Sequence, residues 1–170
     1  YLMLYHIKQS IVPTSFCDEV IKQGEEKDLK KAEIQDGKET SRSSDVSWLD
    51  EEKLGTSLTN LVIIANKESK WNFSLKEFEP LQYTIYNKND YYDWHIENHN
   101  KPYDNGMVRK LSFTLCLNED YEGGEFSFCT PHPVAEKTKI EKIEKPKKGT
   151  MIVFPSYTWH KVDKVTSGVR

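Results

Sequence analysis

The chain has 170 residues, a formal net charge of -3 and 36% hydrophobic residues, values typical of one globular domain with a sizeable core. The small negative charge argues against a surface dedicated to nucleic acid, and no apolar run approaches the length of a membrane span. We therefore expect a single domain over residues 1–170 without a membrane or nucleic-acid partner, and a monomer is compatible with this composition.

The N-terminal part, residues 1–79, is predicted to be mainly helical. A first helix is predicted from Phe16 towards Lys31, because Thr14 can cap it and apolar residues recur among the charges. A second helix is predicted after Asp50 from the apolar stripe in DEEKLGTSLTNLVIIANKES. The polar stretch between them, AEIQDGKETSRSSDVSW, indicates a loop or an edge strand.

The C-terminal part, residues 80–170, is predicted to be a core of short strands. Its candidate segments are rich in β-branched and aromatic residues and are separated by Gly, Pro, Asn or Asp. In chain order they are LQYTIY, YDWHIE, KLSFTLCLN, GEFSF, KTKIEKIE, TMIVFP and HKVDKV. The irregular isoleucines of KTKIEKIE indicate an exposed edge or a hairpin arm. Such strands are typical of a sandwich, barrel or jelly roll, and with the helices they give an α+β, mainly β class.

The cysteines indicate a reducing compartment. Cys17, Cys116 and Cys129 form no CxxC pair, and their odd number disfavours a disulfide framework. Cys116 and Cys129 lie in predicted strands and are expected to be small buried apolar residues rather than ligands. The opening segment YLMLYHIKQSIVP lacks the layout of a signal peptide. We expect a cytoplasmic protein.

Two short patterns predict a metal centre. His95 and Glu97 form a His-x-carboxylate pair, and residues i and i+2 of an extended strand project to the same face. His160 would then approach from a distant strand. Two imidazoles and one carboxylate on one face of a ferrous ion leave three positions open for oxygen chemistry. Each of these residues is commonplace alone, but together they are candidate catalytic residues and ligands of Fe(II).

Longer segments occur in the same order as in a known enzyme family: SRSSDVSWL, LQYTIYNKNDYYDWHIE, RKLSFTLCLNEDYEGGEFSF and PKKGTMIVFPSYTWHKVDKVTSGVR. In these segments the chain resembles the Fe(II)/2-oxoglutarate-dependent dioxygenases of the prolyl 4-hydroxylase-like family, and its short form is similar to viral or bacterial members. The resemblance implies a double-stranded β-helix, or jelly roll, with the N-terminal helices packed on one sheet. It also implies Fe(II) as cofactor, 2-oxoglutarate and O2 as cosubstrates, ascorbate as a reductant and, for a viral member, the host cytoplasm.

The resemblance assigns the metal and one cosubstrate contact. His95, Glu97 and His160 match the iron ligands, and Arg170 matches the arginine that holds the distal carboxylate of 2-oxoglutarate. A planar guanidinium suits this task because it can donate two parallel hydrogen bonds to a carboxylate. Glu97 departs from the family, which usually has Asp there. Its extra methylene moves the carboxylate outward by about 1.5 Å, so we expect a site that is shifted rather than lost.

The remaining roles concern the cosubstrate pocket and the substrate. Tyr86 matches the tyrosine whose hydroxyl reaches the distal carboxylate. Gln82 and Thr84 share its strand face and are expected to line the same pocket. Tyr92 and Arg109 match positions that contact a peptide substrate.

The implied activity is hydroxylation of prolyl residues in a protein or peptide, of the procollagen-proline 4-hydroxylase type, with release of succinate and CO2. Two alternatives stay open at this point. One is a 2-oxoglutarate oxygenase that acts on lysyl residues, a free amino acid or alkylated nucleic acid. The other is a non-catalytic jelly-roll module that only binds a ligand.

Overall fold

The computed structural model describes residues 3–32, 41–49, 51–98 and 101–170. Within these ranges the chain forms two helices, α1 (Thr14–Glu25) and α2 (Glu51–Glu68), and thirteen short strands. The strands are β1 (His6–Lys8), β2 (Lys30–Lys31), β3 (Arg42–Ser43), β4 (Asp45–Leu49), β5 (Leu81–Ile85), β6 (Tyr91–His95), β7 (Leu111–Leu115), β8 (Tyr121–Gly123), β9 (Phe126–Thr130), β10 (Lys139–Ile143), β11 (Met151–Pro155), β12 (Trp159–Val162) and β13 (Val165–Gly168).

The strands pair in antiparallel fashion into four hydrogen-bonded sheets, none of which is closed within the described residues. The largest has the order β10-β9-β12-β6-β3, and the others are β1-β11-β7, β2-β4-β5 and β13-β8. The prediction of a mainly β chain with two helices is confirmed. The segment KTKIEKIE forms the edge strand β10, as its mixed pattern indicates.

Three local predictions were wrong in their bounds. Helix α1 ends at Glu25 instead of near Lys31, because the chain turns and Lys30 and Lys31 pair with β4. The segment before α2 contains β4, which is the central strand of its sheet and buries Val46; residues 33–40 of that segment lie outside the described residues. HKVDKV does not form one strand but is divided between β12 and β13.

The helices share buried clusters with strands of two sheets. One cluster joins α1 and α2 to β4 and β5, and a second joins α2 to β11; their buried members are Val12, Cys17, Val20, Leu49, Leu54, Leu58, Leu81 and Tyr83 in the first, and Val62, Ala65, Trp71, Met151 and Val153 in the second. The approach at α1 is close, since a Cβ added at Gly24 would lie 2.3 Å from Tyr83 Cδ1. A glycine at this position therefore lets the helix reach β5.

A third cluster, rich in aromatic rings, lies beneath the largest sheet. Phe128, on β9, is fully buried, and half of the other buried members come from β9, β11 and β12. All these members are Tyr86, Tyr121, Phe126, Ile143, Ile152, Phe154, Val162 and Val165. A continuous apolar layer of this kind fixes the strands that flank it.

Cys17, Cys116 and Cys129 are free, and all three are buried, as predicted for Cys116 and Cys129. Neither helix, over the part of the chain that the structure describes, combines the length and the apolar content needed to cross a bilayer.

Candidate metal centre and its pocket

Strands β6 and β12 are neighbours in the largest sheet and bring the two candidate histidines together. His95 and His160 are directly opposite each other in the ladder, and their ring centroids are 4.0 Å apart. Strand β6 ends at His95, so Glu97 lies in the bend that follows rather than on the predicted strand face. Its backbone N–H donates to the Ser156 carbonyl at 2.9 Å, and this bond returns its side chain to the histidines.

The three side chains direct one donor atom each towards a common point. Nδ1 of His95 donates to the Asp93 carbonyl at 2.7 Å, and Nδ1 of His160 donates to the Thr158 carbonyl at 2.8 Å. A carbonyl can only accept, so each Nε2 keeps its lone pair in the neutral ring. Glu97 Oε1 lies 3.2 Å from His95 Nε2 and 3.6 Å from His160 Nε2.

This convergence fits a metal ion. Facing lone pairs repel one another unless a cation or a proton lies between them, and the candidate ligand atoms all lie within 4.8 Å of one another. Two nitrogens and one carboxylate oxygen also match the donor set that binds ferrous iron with open positions. The residues that the structure brings together are the three predicted from the sequence.

The protonation states suit metal binding. Burial raises the pKa of Glu97, but the facing imidazoles of His160 and His95, which donate to the carboxylate when they are protonated, hold that pKa well below its ordinary value. Desolvation lowers the pKa of His95. At neutral pH the carboxylate is therefore ionised and the His95 ring neutral, the forms in which both groups bind a metal.

Aromatic rings enclose the histidines on one side. His160 is 3% exposed, and the rings of Phe154 and Phe126 lie 4.6 Å and 5.5 Å from its ring centroid. Tyr92 stacks on His95 with centroids 3.4 Å apart, and burial raises the pKa of Tyr92 to about 12. Water is thus excluded from the rear of the centre, while its front opens into a cleft that the same residues line.

Tyr86 and Arg170 form the second part of the pocket. Their backbones pair, since Tyr86 N–H donates to Arg170 O at 2.7 Å and Arg170 N–H donates to Tyr86 O at 2.9 Å. The guanidinium lies 5.3 Å from the centroid of the buried Tyr86 ring. Gly124, at φ +64°, leaves space for it, because a Cβ there would lie 2.9 Å from Arg170 Cδ.

Arg170 is suited to receive an anion. Its Nε is buried without a hydrogen-bond partner, and no acidic side chain among the described residues forms an ion pair with it. A buried guanidinium N–H without an acceptor is costly unless a ligand carboxylate accepts its hydrogen bond. Tyr86 and Arg170 line the same cleft as Glu97, so this anion site and the metal centre open into one pocket.

Gln82 and Thr84 line the same cleft and lead to an arginine that sequence reasoning missed. Gln82 Oε1 accepts hydrogen bonds from Thr84 Oγ1 at 3.4 Å and from an Arg42 NH2 group at 3.0 Å. Arg42, on β3, lies over the Tyr92 ring at 4.6 Å from its centroid. The sequence feature that could have identified Arg42 was its place in the segment SRSSDVSWL.

Arg109 is held by two carboxylates. Its Nε and NH2 groups donate to the two oxygens of Glu79, the first at 2.8 Å, and an NH1 group donates to Glu97 Oε2 at 2.7 Å. These hydrogen bonds, that with Glu79 foremost, raise the pKa of Arg109. Glu79 was missed because an acid in the polar segment KEFEP gives no local signal. Arg42, Arg109 and Arg170 are the only arginines of the chain, and all three line this cleft.

Comparisons with known proteins agree with this geometry. The family model described as 2OG-Fe(II) oxygenase superfamily matches residues 81–170. A PKHD-type hydroxylase of Picosynechococcus is 46% identical over 68 residues, which cover 39% of this chain and 28% of that protein. One from Shewanella oneidensis is 36% identical over 97 residues, or 55% of this chain and 40% of that protein. The chain thus spans well under half the length of these curated relatives.

Solved structures establish the fold over nearly the whole chain. A prolyl-4-hydroxylase of Pseudomonas putida superimposes with a TM-score of 0.70 at 18% identity and covers 98% of this chain and 88% of its own. The collagen prolyl hydroxylase of Paramecium bursaria Chlorella virus-1, solved as a 2OG complex, gives a TM-score of 0.69 at 23% identity and covers 98% and 91%. At these identities the likeness concerns the fold alone, which is that of the jelly-roll oxygenases.

Proposed function

The chain belongs to the 2OG-Fe(II) oxygenase superfamily, and from that premise we propose that it hydroxylates prolyl residues of a protein or peptide, with release of succinate and CO2. The proposal of catalysis rests on the convergence of His95 Nε2, His160 Nε2 and Glu97 Oε1 on one point. A module that only binds a ligand would have no need for three donors facing one another.

The proposed metal is Fe(II), held by these three atoms. Iron(II) with 2-oxoglutarate supplies the activation of O2 and the oxidation of an unactivated C–H bond, and ascorbate is the proposed reductant. The carbonyls of Asp93 and Thr158 keep both imidazoles in the metal-binding tautomer. The aromatic wall behind His160 keeps water from the rear of the centre.

The proposed 2-oxoglutarate site adjoins the metal. Arg170 and Tyr86 would hold the distal carboxylate, because the buried Nε of Arg170 has no partner of its own. Gln82 and Thr84 would complete the polar lining of that part of the cleft. Fixing one end of the cosubstrate orients its other end towards the metal, which is the main contribution that a protein makes to such a reaction.

The proposed substrate is a peptide segment that lies along the open cleft. Tyr92, stacked on His95, and Arg109, bonded to Glu97, lie closest to the centre among the residues expected to contact it. Trp48 is 57% exposed, lies opposite Gln82 on the neighbouring strand and lines the same cleft. An exposed indole offers a flat apolar surface for a pyrrolidine ring. Two similar structures are named as prolyl hydroxylases, which supports the same substrate class.

The remaining expectations are also proposals. The three free, buried cysteines are compatible with the reducing cytoplasm that we propose as its location, or the host cytoplasm if the source is viral. A monomer suffices for the proposed site, because the described residues of one chain supply all of its side chains.

A peptide panel tests the proposal. The chain is incubated with Fe(II), 2-oxoglutarate, ascorbate and O2 together with proline-rich peptides, and in parallel with the same peptides in which alanine replaces each proline. Mass spectrometry should show a gain of one oxygen on proline, none on the alanine peptides, and none with His160→Ala. Oxygen gained on lysine, or succinate release without any modified proline peptide, would contradict the prolyl assignment.

A further inference from the structure

The guanidinium of Arg109 is occupied by its own chain. Glu79 accepts two of its N–H groups, and Glu97 accepts two more, through Oε2 at 2.7 Å and through its backbone oxygen at 3.1 Å. A guanidinium carries five N–H donors, so four of them are already used. Arg109 is therefore bound on both sides by carboxylates before any substrate arrives.

These bonds divide the Glu97 carboxylate between two tasks. Oε1 faces both imidazole nitrogens, whereas Oε2 accepts from Arg109. With Oε2 engaged, the carboxylate can offer a metal only Oε1 and so occupies one coordination position instead of two. A metal ion held in this way by one carboxylate oxygen and two imidazoles would keep positions open for a chelating 2-oxo acid and O2.

The same bonds restrain the glutamate side chain, which is more flexible than that of aspartate. Glu97 has one more rotatable bond than the aspartate usual at this position, so holding its carboxylate in one place costs more conformational entropy. Arg109 restrains both the carboxylate and the backbone oxygen of Glu97, and its paired bonds with Glu79 fix the guanidinium in turn. Charge-assisted and paired bonds of this kind are among the strongest that side chains make.

We propose that Arg109, held by Glu79, is a positioning residue that keeps Glu97 in a one-oxygen binding mode and so allows glutamate to serve as the third metal ligand. The inference rests on the proposed function for the identity of the site. Arg109 would then have two roles, since it would position a metal ligand in addition to making the expected contact with substrate. Neither Arg42 nor Arg170 can take over this task, because neither forms an ion pair with Glu97 within the described residues.

Metal affinity tests the proposal without substrate, O2 or 2-oxoglutarate. Co(II) is titrated into the metal-free full chain and followed by its visible absorption. Arg109→Met is expected to weaken Co(II) binding by about 10- to 100-fold, the usual cost of losing an outer partner of a ligand, and Glu79→Gln by a smaller factor. Lys142→Met is the matched control, because it removes a cation on β10 from an exposed ion pair with Glu125, the residue before β9. It should leave the affinity unchanged.

A comparison in a Glu97→Asp background isolates the coupling between Arg109 and Glu97. In Glu97→Asp the shorter carboxylate loses its contact with Arg109, which keeps only its bond to the backbone oxygen, so adding Arg109→Met should lower Co(II) affinity by a clearly smaller factor than it does in wild type. Circular dichroism confirms that each variant is folded; if Arg109→Met is not, Glu79→Gln and Arg109→Lys carry the test, since lysine cannot bond to both carboxylates in the same way.

The outcomes separate the two proposals. Wild-type Co(II) affinity in both Arg109→Met and Glu79→Gln, with only the KM for peptide raised, would overturn the positioning role. An equal loss of affinity in the aspartate background would do so as well. The expected pattern of Co(II) binding without any proline hydroxylation would overturn the proposed substrate and still support the positioning role.

Discussion

Replacement of Arg170 by Met tests the proposed carboxylate clamp. The guanidinium lies 5.3 Å from the Tyr86 ring centroid, has a buried Nε without a partner and pairs with no acid among the described residues. Methionine keeps an unbranched apolar chain of similar length beside Gly124 but removes the charge and every donor. The substitution therefore separates ligand binding from packing.

The expected loss of affinity follows from the bonds removed. Hydrogen bonds to charged groups contribute about 1.5–3 kcal/mol each, and the clamp would make two of them. Losing at least about 3 kcal/mol raises the Kd for 2-oxoglutarate by roughly 100-fold or more. The free energy of unfolding should change by less than about 1 kcal/mol, because the lost cation–π contact with Tyr86 is offset by removal of the buried Nε–H that has no partner.

Isothermal titration of the Co(II)-loaded chain measures the affinity, and a urea titration measures the stability. A ligand control makes the test specific: 2-oxopentanoate lacks the distal carboxylate and should bind wild type and Arg170→Met about equally. Wild-type affinity of the variant for 2-oxoglutarate, or an equal loss of affinity for both ligands, would show that Arg170 does not bind the distal carboxylate.

The remaining predictions concern the core, one buried histidine and the metal. Phe128→Ala removes a fully buried ring and should lower the free energy of unfolding, measured in urea, by about 3–5 kcal/mol. Ile140 is exposed on β10, so Ile140→Ala should lower it by less than about 1 kcal/mol. Similar losses for both variants would contradict the packing described. Desolvation lowers the pKa of His6 below 6.5 in the folded state, so the unfolded state binds more protons near that pH. The folded state should therefore lose stability as the pH falls from 6.5 through the lowered pKa. His6→Gln should flatten the plot of unfolding free energy against pH in this range, and a slope identical to wild type would contradict the prediction. Co(II) at about 100 times its Kd should stabilise the metal-free chain by about 2.7 kcal/mol and so raise its Tm. A chelator should reverse this rise in Tm. A rise that persisted in His160→Ala would place the metal elsewhere.

The strands could be predicted where the pattern is local. Segments such as LQYTIY, KLSFTLCLN and TMIVFP alternate or bury β-branched and aromatic residues, and β5, β7 and β11 form within them. The end of α1 could not be predicted in this way, because the charged residues after Glu25 suit a helix as well as a turn. Pairing of Lys30 and Lys31 with β4 decides the matter, and that contact is not visible in the sequence.

The site divides in the same manner. The ligand types and the resemblance predicted His95, Glu97 and His160, but strand periodicity did not predict that Glu97 lies in a bend held by Ser156. Glu79 is 30 positions from Arg109, and its role arises only when two strand ends meet. Polar residues in polar segments give no local signal, so such partners need the tertiary structure.

The most direct test of the metal centre is a crystal structure of the chain soaked without oxygen in Fe(II) and 2-oxoglutarate, with anomalous data collected at the iron edge. We expect one iron peak within bonding distance of His95 Nε2, His160 Nε2 and Glu97 Oε1, with the distal carboxylate of 2-oxoglutarate on Arg170. An iron peak away from these three atoms, or a distal carboxylate turned away from Arg170, would contradict it.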